Sequence, residues 1–277
     1  MQTHEILDRL ELLYPTSSKL ADLRRAYVDK DLNSIFRIVT DDNKDDLRKA
    51  LLQDNVWSLF RAVKQIKDTP FIEGIRKLQK NENFDTDCIS RGQIKSKQWL
   101  VAELKNLNLD LGVVFLCAGW YATLATMMFE NNLKIEKFRS FDIDDTCREV
   151  AEAFNKDWVL DGWKFKSCTK DIKEINYENA VYTVLRANGT TVDLGDIPNT
   201  IINTSCEHIK NFSEWYDLIP AGKLVILQSN DFYEVEEHVN CTTSMHDFAG
   251  MAPMTTLLYE GELNLDKYTR YMRIGYK

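Results

Sequence analysis

The loop Cys117-Ala118-Gly119-Trp120-Tyr121 leaves a short apolar run, and Asp142 closes the next such run 23 residues beyond Gly119. These residue types at that interval suit the grip of a nucleoside. Small side chains at Ala118 and Gly119 let the backbone come close to a ligand, and Gly119 can adopt a positive φ in the turn. The helix that starts near Tyr121 aims its first amide groups at the same place. A carboxylate about 20 residues after a glycine turn, at the tip of a neighbouring strand, accepts hydrogen bonds from a bound ribose. Its two oxygens can serve both hydroxyls at once. Asp142 is expected in that role, with Ile143 beside it, whereas Asp145 is better suited to capping the helix that follows.

Further polar groups gather where later apolar runs end. Cys168, Thr169 and Asp171 follow a third run, and a short polar side chain there, Thr169 or Asp171, suits an adenine amino group. A fourth run ends in Asn203-Thr204-Ser205-Cys206-Glu207-His208. A fifth is followed by the long segment NDFYEVEEHVNCTTSMHDFAG, rich in polar and aromatic residues, and a loop of that kind is commonly a lid or substrate wall. Glu207, His208 and His238 are the candidate general bases. A metal held by Glu237, His238 and His246 would need a ligand spacing that does not match recognised patterns, and no metal is expected.

The elements that must position these groups can be read from periodicity. From residue 1 to about 80 apolar positions recur at helical spacing: Ile6, Leu7, Leu10 and Leu13, then Leu20, Leu23 and Tyr27, then Val56, Leu59, Phe60, Val63 and Ile66. This predicts a bundle of about five short helices. The polar stretch Lys80 to Cys88 breaks that pattern. Ser90 and Gln93 then form an S-x-x-Q capping box for a helix through Trp99, Leu100, Leu104 and Leu107. Beyond it, GVVFLCAGW, KIEKFRSFDID, WKFKSCTKDI, TIINTSC and GKLVILQSN read as strands separated by helices such as YATLATMMFENN and DTCREVAEAFNKDW. Such alternation implies parallel βαβ units. TTLLYEGEL and YTRYMRIGYK, joined by a polar turn at Asn264 to Lys267, form a closing antiparallel pair. The expected organisation is an N-terminal helical domain over residues 1–85 and a doubly wound α/β domain over 86–277. In such a sheet ligands sit beyond the carboxyl ends of the strands, where the strand order reverses.

Composition narrows the partners. The net charge of −8 argues against the broad basic face that nucleic acid requires, and favours small molecules. No apolar run reaches the ~18 residues of a membrane span, and the start, MQTHEILDRL, lacks the plan of a signal peptide, so a cytoplasmic location is expected. The six cysteines are scattered without CxxC spacing and read as reduced, mostly buried packing groups. The N-terminal helices could cap the cleft, supply substrate contacts or make a homodimer.

Taken together, these segments resemble the class I S-adenosylmethionine (SAM)-dependent methyltransferases over residues 90 to 277. VVFLCAGWYATLA resembles the family's first motif, SFDID its acidic second-strand motif, KSCTKDI its adenine-contacting segment and IINTSCEHI its fourth-strand motif beside the transferred group. The resemblance implies a seven-stranded sheet in the order 3-2-1-4-5-7-6 with an antiparallel seventh strand, SAM as cofactor and methyl transfer to a small-molecule acceptor. It carries SAM contacts onto Cys117, Ala118, Gly119, Trp120, Tyr121, Asp142, Ile143, Thr169, Asp171, Asn203, Thr204 and Ser205. The first motif departs from the family's acid-plus-GxGxG pattern, since only Gly119 remains and Trp120 and Tyr121 are bulky. Residues before the first strand, Gln93 and Lys97 among them, are therefore candidates for the methionine carboxylate. FLCAGW also resembles the corresponding loop of nicotianamine synthase-like enzymes, which would imply aminocarboxypropyl transfer instead. A non-catalytic SAM-binding or regulatory protein is the third reading. The missing GxGxxG weighs against a nicotinamide-dependent dehydrogenase.

Overall fold

A computed structural model describes residues 3–13, 17–31, 34–35 and 85–277. It divides into two units, Met1–Gln98 and Trp99–Lys277, each taken by itself below. The helices expected around Val56 to Ile66, and most of the Lys80–Cys88 stretch, lie outside the described residues.

In the N-terminal unit, α1 (Thr3–Leu13) and α2 (Ser18–Val28) bury Ile6, Leu7, Leu10, Leu20, Leu23 and Tyr27, the stripe that the 3.6-residue period requires. Ser17 caps α2, its hydroxyl accepting from the Leu20 amide at 3.4 Å. A further helix among the described residues, α3 (Arg91–Leu107), opens as the capping pattern predicts, with the Gln93 amide donating to Ser90 Oγ at 3.3 Å. The reciprocal arm of the box is not made. Gln93 Oε1 instead accepts from Lys97 Nζ at 2.5 Å, because a cationic donor one turn along outcompetes a neutral backbone amide.

The C-terminal unit is built on seven strands: β1 (Asp110–Cys117), β2 (Lys134–Asp142), β3 (Phe165–Thr169), β6 (Thr200–Asn203), β7 (Leu224–Asn230), β8 (Thr256–Asn264) and β9 (Thr269–Tyr276). Their order is β3-β2-β1-β6-β7-β9-β8. β9 runs antiparallel to both β7 and β8, while the first five are parallel. All seven strands expected from the sequence are present. The central β6 and β7 are buried at every residue, as strands covered on both faces must be.

Helices cover both faces. On one, α4 (Thr123–Glu130) buries every residue from Thr123 to Phe129, and Phe129 stacks on Trp158 with centroids 4.6 Å apart. On the other, Phe115 meets Phe141 at 4.9 Å, and fully buried Trp215 of α7 (Phe212–Asp217) donates from Nε1 to Tyr177 at 2.8 Å. The helix expected over Asp145–Trp158 is broken into α5 (Cys147–Phe154) and α6 (Lys156–Leu160). The break falls at buried Asn155, whose side-chain Nδ2 donates to the Ala151 and Ala122 carbonyls at 2.9 and 3.3 Å. A short helix, α8 (Met245–Met251), lies between β7 and β8.

One element was not anticipated. β4 (Ala180–Leu185) and β5 (Thr191–Asp196) form a separate antiparallel hairpin, turning at Asn188-Gly189 with Gly189 at φ 81°. It lies against the edge strand β3: Cys168 Sγ is 3.1 Å from the Thr183 carbonyl, and Lys166 Nζ donates to the Leu185 carbonyl at 2.9 Å. It is clipped to β2 by Asp196, which takes Arg139 Nε at 2.9 Å, Lys137 Nζ at 2.8 Å and the Tyr182 hydroxyl.

Candidate functional site

Parallel strands β1 and β2 bring the glycine turn and the carboxylate side by side. The Gly119 amide donates to the Phe141 carbonyl at 3.0 Å, and the Trp120 amide donates to Asp142 Oδ2 at 2.7 Å. Asp142 Oδ1 accepts from the Asp144 amide at 3.1 Å. Each carboxylate oxygen thus keeps further acceptor capacity. Burial raises the Asp142 pKa above the usual aspartate range, opposed by the Asp144 and Trp120 amides. Ile143, next in the chain, is 73% exposed, an apolar side chain left in water beside that carboxylate.

The turn places its left-handed residues on either side of the glycine. Gly119 does not carry the positive φ; Ala118, Trp120 and Ala122 do, at 53°, 47° and 50°. Glycine is required at 119 for space, because a Cβ there would run into Ser140 Oγ and would come 3.0 Å from Leu116 Cδ2. The left-handed residues are held from outside, Trp120 by Asp142 and Ala122 through its carbonyl by Asn155. Cys117 and Tyr121 turn their side chains into the core, Cys117 against the Tyr177 hydroxyl at 3.4 Å and Tyr121 against Phe154, so that the backbone is what they offer the loop. The Trp120 ring stacks on Tyr121 at 4.8 Å.

Thr169 sits at the end of β3 in register with Asp142, and is exposed. Asp171 caps a short 3-10 turn, one oxygen accepting from the Lys173 amide at 2.8 Å. Gln93 and Lys97 belong to the N-terminal unit, where they bond to each other as described. The cysteines conform to a packing role: all six are free, five are buried, and burial pushes Cys117 up to about 12 and Cys168 up to about 11.

A second group lies beyond the carboxyl ends of β6 and β7. Asn203 is fully buried, with Oδ1 accepting from the Ser205 amide at 2.8 Å. Glu207 is 2% exposed, and its Oε1 takes Asn230 Nδ2 at 2.6 Å and Arg270 at 2.9 Å. Arg270 also donates to the Thr204 carbonyl at 2.8 Å. The long segment after β7 is stitched to the loop after β6: the Asn240 amide donates to the Glu207 carbonyl at 2.8 Å, and Asn240 Nδ2 to the Cys206 carbonyl at 3.1 Å. This closure sets His208 and His238 edge to face, with ring centroids 4.5 Å apart. His238 Nδ1 lies 2.5 Å from the Phe232 carbonyl, which makes Nδ1 the protonated nitrogen and leaves the Nε2 lone pair free. Desolvation lowers the His208 pKa; Glu207 opposes that shift, and His238 and Arg270 add to it.

Sequence reasoning missed Arg270. It lies in a strand of mixed pattern, and nothing local to it signals that β9 inserts beside β7. Buried side-chain atoms without a partner cluster around the same place: Asn203 Nδ2, Glu207 Oε2, Ser229 Oγ, Thr242 Oγ1 and Arg270 Nε. Such atoms are rare enough in proteins that each calls for a cause.

The sheet order 3-2-1-4-5-7-6, counting strands of the main sheet alone, together with the reversed seventh strand, is the class I methyltransferase fold. No protein-family model and no curated protein matches the sequence. Among solved structures the chain is similar to the N-methyltransferase NodS from Bradyrhizobium japonicum WM9 in complex with S-adenosyl-L-homocysteine, at 8% identity and TM-score 0.49, covering 75% of this chain and 98% of that one. It is also similar to magnesium protoporphyrin IX methyltransferase (ChlM) from Synechocystis PCC 6803 with bound SAM, at 11% identity and TM-score 0.46, covering 74% and 89%. A third, 1,6-didemethyltoxoflavin-N1-methyltransferase from Burkholderia thailandensis, has 8% identity and TM-score 0.46, covering 66% and 78%. Among the described residues no helix is long and apolar enough to cross a membrane.

Proposed function

We propose that the C-terminal unit binds SAM and catalyses methyl transfer to a small-molecule acceptor. The observation that carries this is the hydrogen bond from the Trp120 amide to Asp142, which fixes the glycine turn and the carboxylate side by side at the tips of adjacent strands. The residues present fit the cofactor. Asp142 has acceptor capacity for the ribose hydroxyls, and exposed Ile143 offers an apolar face to the adenine. Thr169 and the second oxygen of Asp171 suit the adenine amino group. Ala118, Gly119 and Trp120 would line the methionine end. Asn203, Thr204 and Ser205 would border the transferred group.

When bound, SAM supplies a methyl carbon already activated by its sulfonium. The chain's task is then to align the acceptor and keep water out. His238, with Nδ1–H committed to Phe232, presents Nε2 for the acceptor's proton where the acceptor carries one. Glu207 and His208 stand next to it. The decisive experiment is calorimetry of the purified chain with SAM, S-adenosylhomocysteine and NAD, followed by mass spectrometry of the nucleoside product. Binding of the first two without NAD, and S-adenosylhomocysteine as product, is the expected result. Methylthioadenosine as product would replace methyl transfer with aminocarboxypropyl transfer, and binding of NAD alone would remove the proposal.

A further inference from the structure

We propose that Glu207, His208 and His238 bind one divalent transition-metal ion, through the Glu207 carboxylate and one ring nitrogen from each histidine. Among the described residues, these three form the one cluster of His, Cys, Asp or Glu whose ligand atoms converge, all within 4.8 Å of one another. Donors about 2.1 Å from a tetrahedral ion lie about 3.4 Å apart, so a contraction of at most about 1.4 Å closes the site. Two further observations point to a ligand. Glu207 Oε2 is buried and has no partner, while Oε1 is fully engaged by Asn230 and Arg270. A carboxylate with one oxygen anchored and the other vacant is oriented as a metal ligand is by its outer shell. His238 shows the same preparation: Nδ1 is bonded to the Phe232 carbonyl, which turns the Nε2 lone pair outward as a donor.

The donor set selects the ion class. Two imidazoles and one carboxylate suit Zn²⁺, Fe²⁺, Co²⁺ or Ni²⁺, whereas Mg²⁺ and Ca²⁺ prefer oxygen donors throughout. Three protein ligands leave a position open to water or to an acceptor atom, which is the plan of a catalytic rather than a structural site. The site differs from the Glu237–His238–His246 grouping weighed from sequence, because the converging acid is Glu207 and the second histidine is His208. Sequence separation hid this: residues 207, 208 and 238 meet only because β6 and β7 are neighbours and Asn240 ties their loops together. The proposal does not depend on the SAM reading; with the ion bound, His238 Nε2 is a ligand and does not serve as the acceptor's base.

The test is titration of the chelator-stripped full chain with Zn²⁺ and Co²⁺, read by calorimetry, native mass spectrometry and the visible spectrum of Co²⁺. The expected result is one ion per chain with a Kd of about 1 μM or tighter, a Co²⁺ spectrum free of thiolate charge-transfer bands, and no binding of Mg²⁺. His208→Ala and His238→Ala should each weaken binding at least about 10-fold while the metal-free melting temperature stays near that of the parent. Glu207→Gln should do the same. If loss of the buried Glu207–Arg270 pair unfolds that variant, the two histidine variants decide the matter. Absence of stoichiometric binding at about 100 μM Zn²⁺, unchanged affinity in both histidine variants, or a Co²⁺–thiolate band would overturn the proposal.

Discussion

Asp142 is the residue on which the nucleoside grip turns. Its oxygens brace the loop through the Trp120 and Asp144 amides and still have room for ribose hydroxyls. Asp142→Ala is therefore expected to weaken SAM binding by about 1–3 kcal/mol, about 5- to 150-fold in Kd, through loss of a charged acceptor. Calorimetry on a variant whose circular dichroism matches the parent measures it, and equal affinities would take Asp142 out of the site. At this scale the sequence was informative about identity and poor on conformation. The interval from Gly119 to Asp142 was visible, and the two residues do meet. That glycine was needed to clear Ser140, with the left-handed φ falling on alanines and a tryptophan, depends on a neighbouring strand and leaves no local signature. Arg270 was invisible for the same reason.

The elements were more legible than the residues. β1, β6 and β7 are short apolar runs, while β2, β3, β8 and β9 mix apolar with polar or charged residues between turn signals, and all seven could be placed in order. The β4–β5 hairpin was passed over because one of its faces is solvated and carries Val181, Thr183, Thr191 and Asp193, although Asn188-Gly189 is a hairpin signal. The hairpin's attachment carries a prediction. Asp196 pays a desolvation penalty that would raise its pKa, and the bonds from Lys137, Tyr182 and Arg139 more than reverse it, so its pKa is lowered. A carboxylate depressed in the folded state stabilises above its unfolded value, about 3.9, and that stability is lost as pH falls through the folded value. The melting temperature should drop steeply below about pH 4. Asp196→Asn, which leaves Arg139 buried without its charge partner, should cost about 3 kcal/mol at pH 7 and flatten the acid limb. Thermal melts from pH 7 to 3 test this, and parallel pH profiles for parent and variant would contradict it.

At the scale of the molecule, the last two strands complete the sheet out of sequence order. β9 is buried between β7 and β8, and Arg270 near its start reaches back to Glu207 and Thr204. Removing residues 269–277 should therefore abolish cooperative unfolding of the C-terminal unit rather than trim an edge. A truncated chain that retains a sharp melt would show that β9 is dispensable.

The position of β9 also has a consequence for synthesis. Until the ribosome has passed Tyr276, the outer flank of β7 has no backbone partner, and the nascent polypeptide carries an open hydrogen-bonding edge along the apolar run Leu224 to Leu227. The hazard of mispairing is greatest in that interval, and holdase chaperones that mask unpaired strands would act on this chain between synthesis of β7 and of β9.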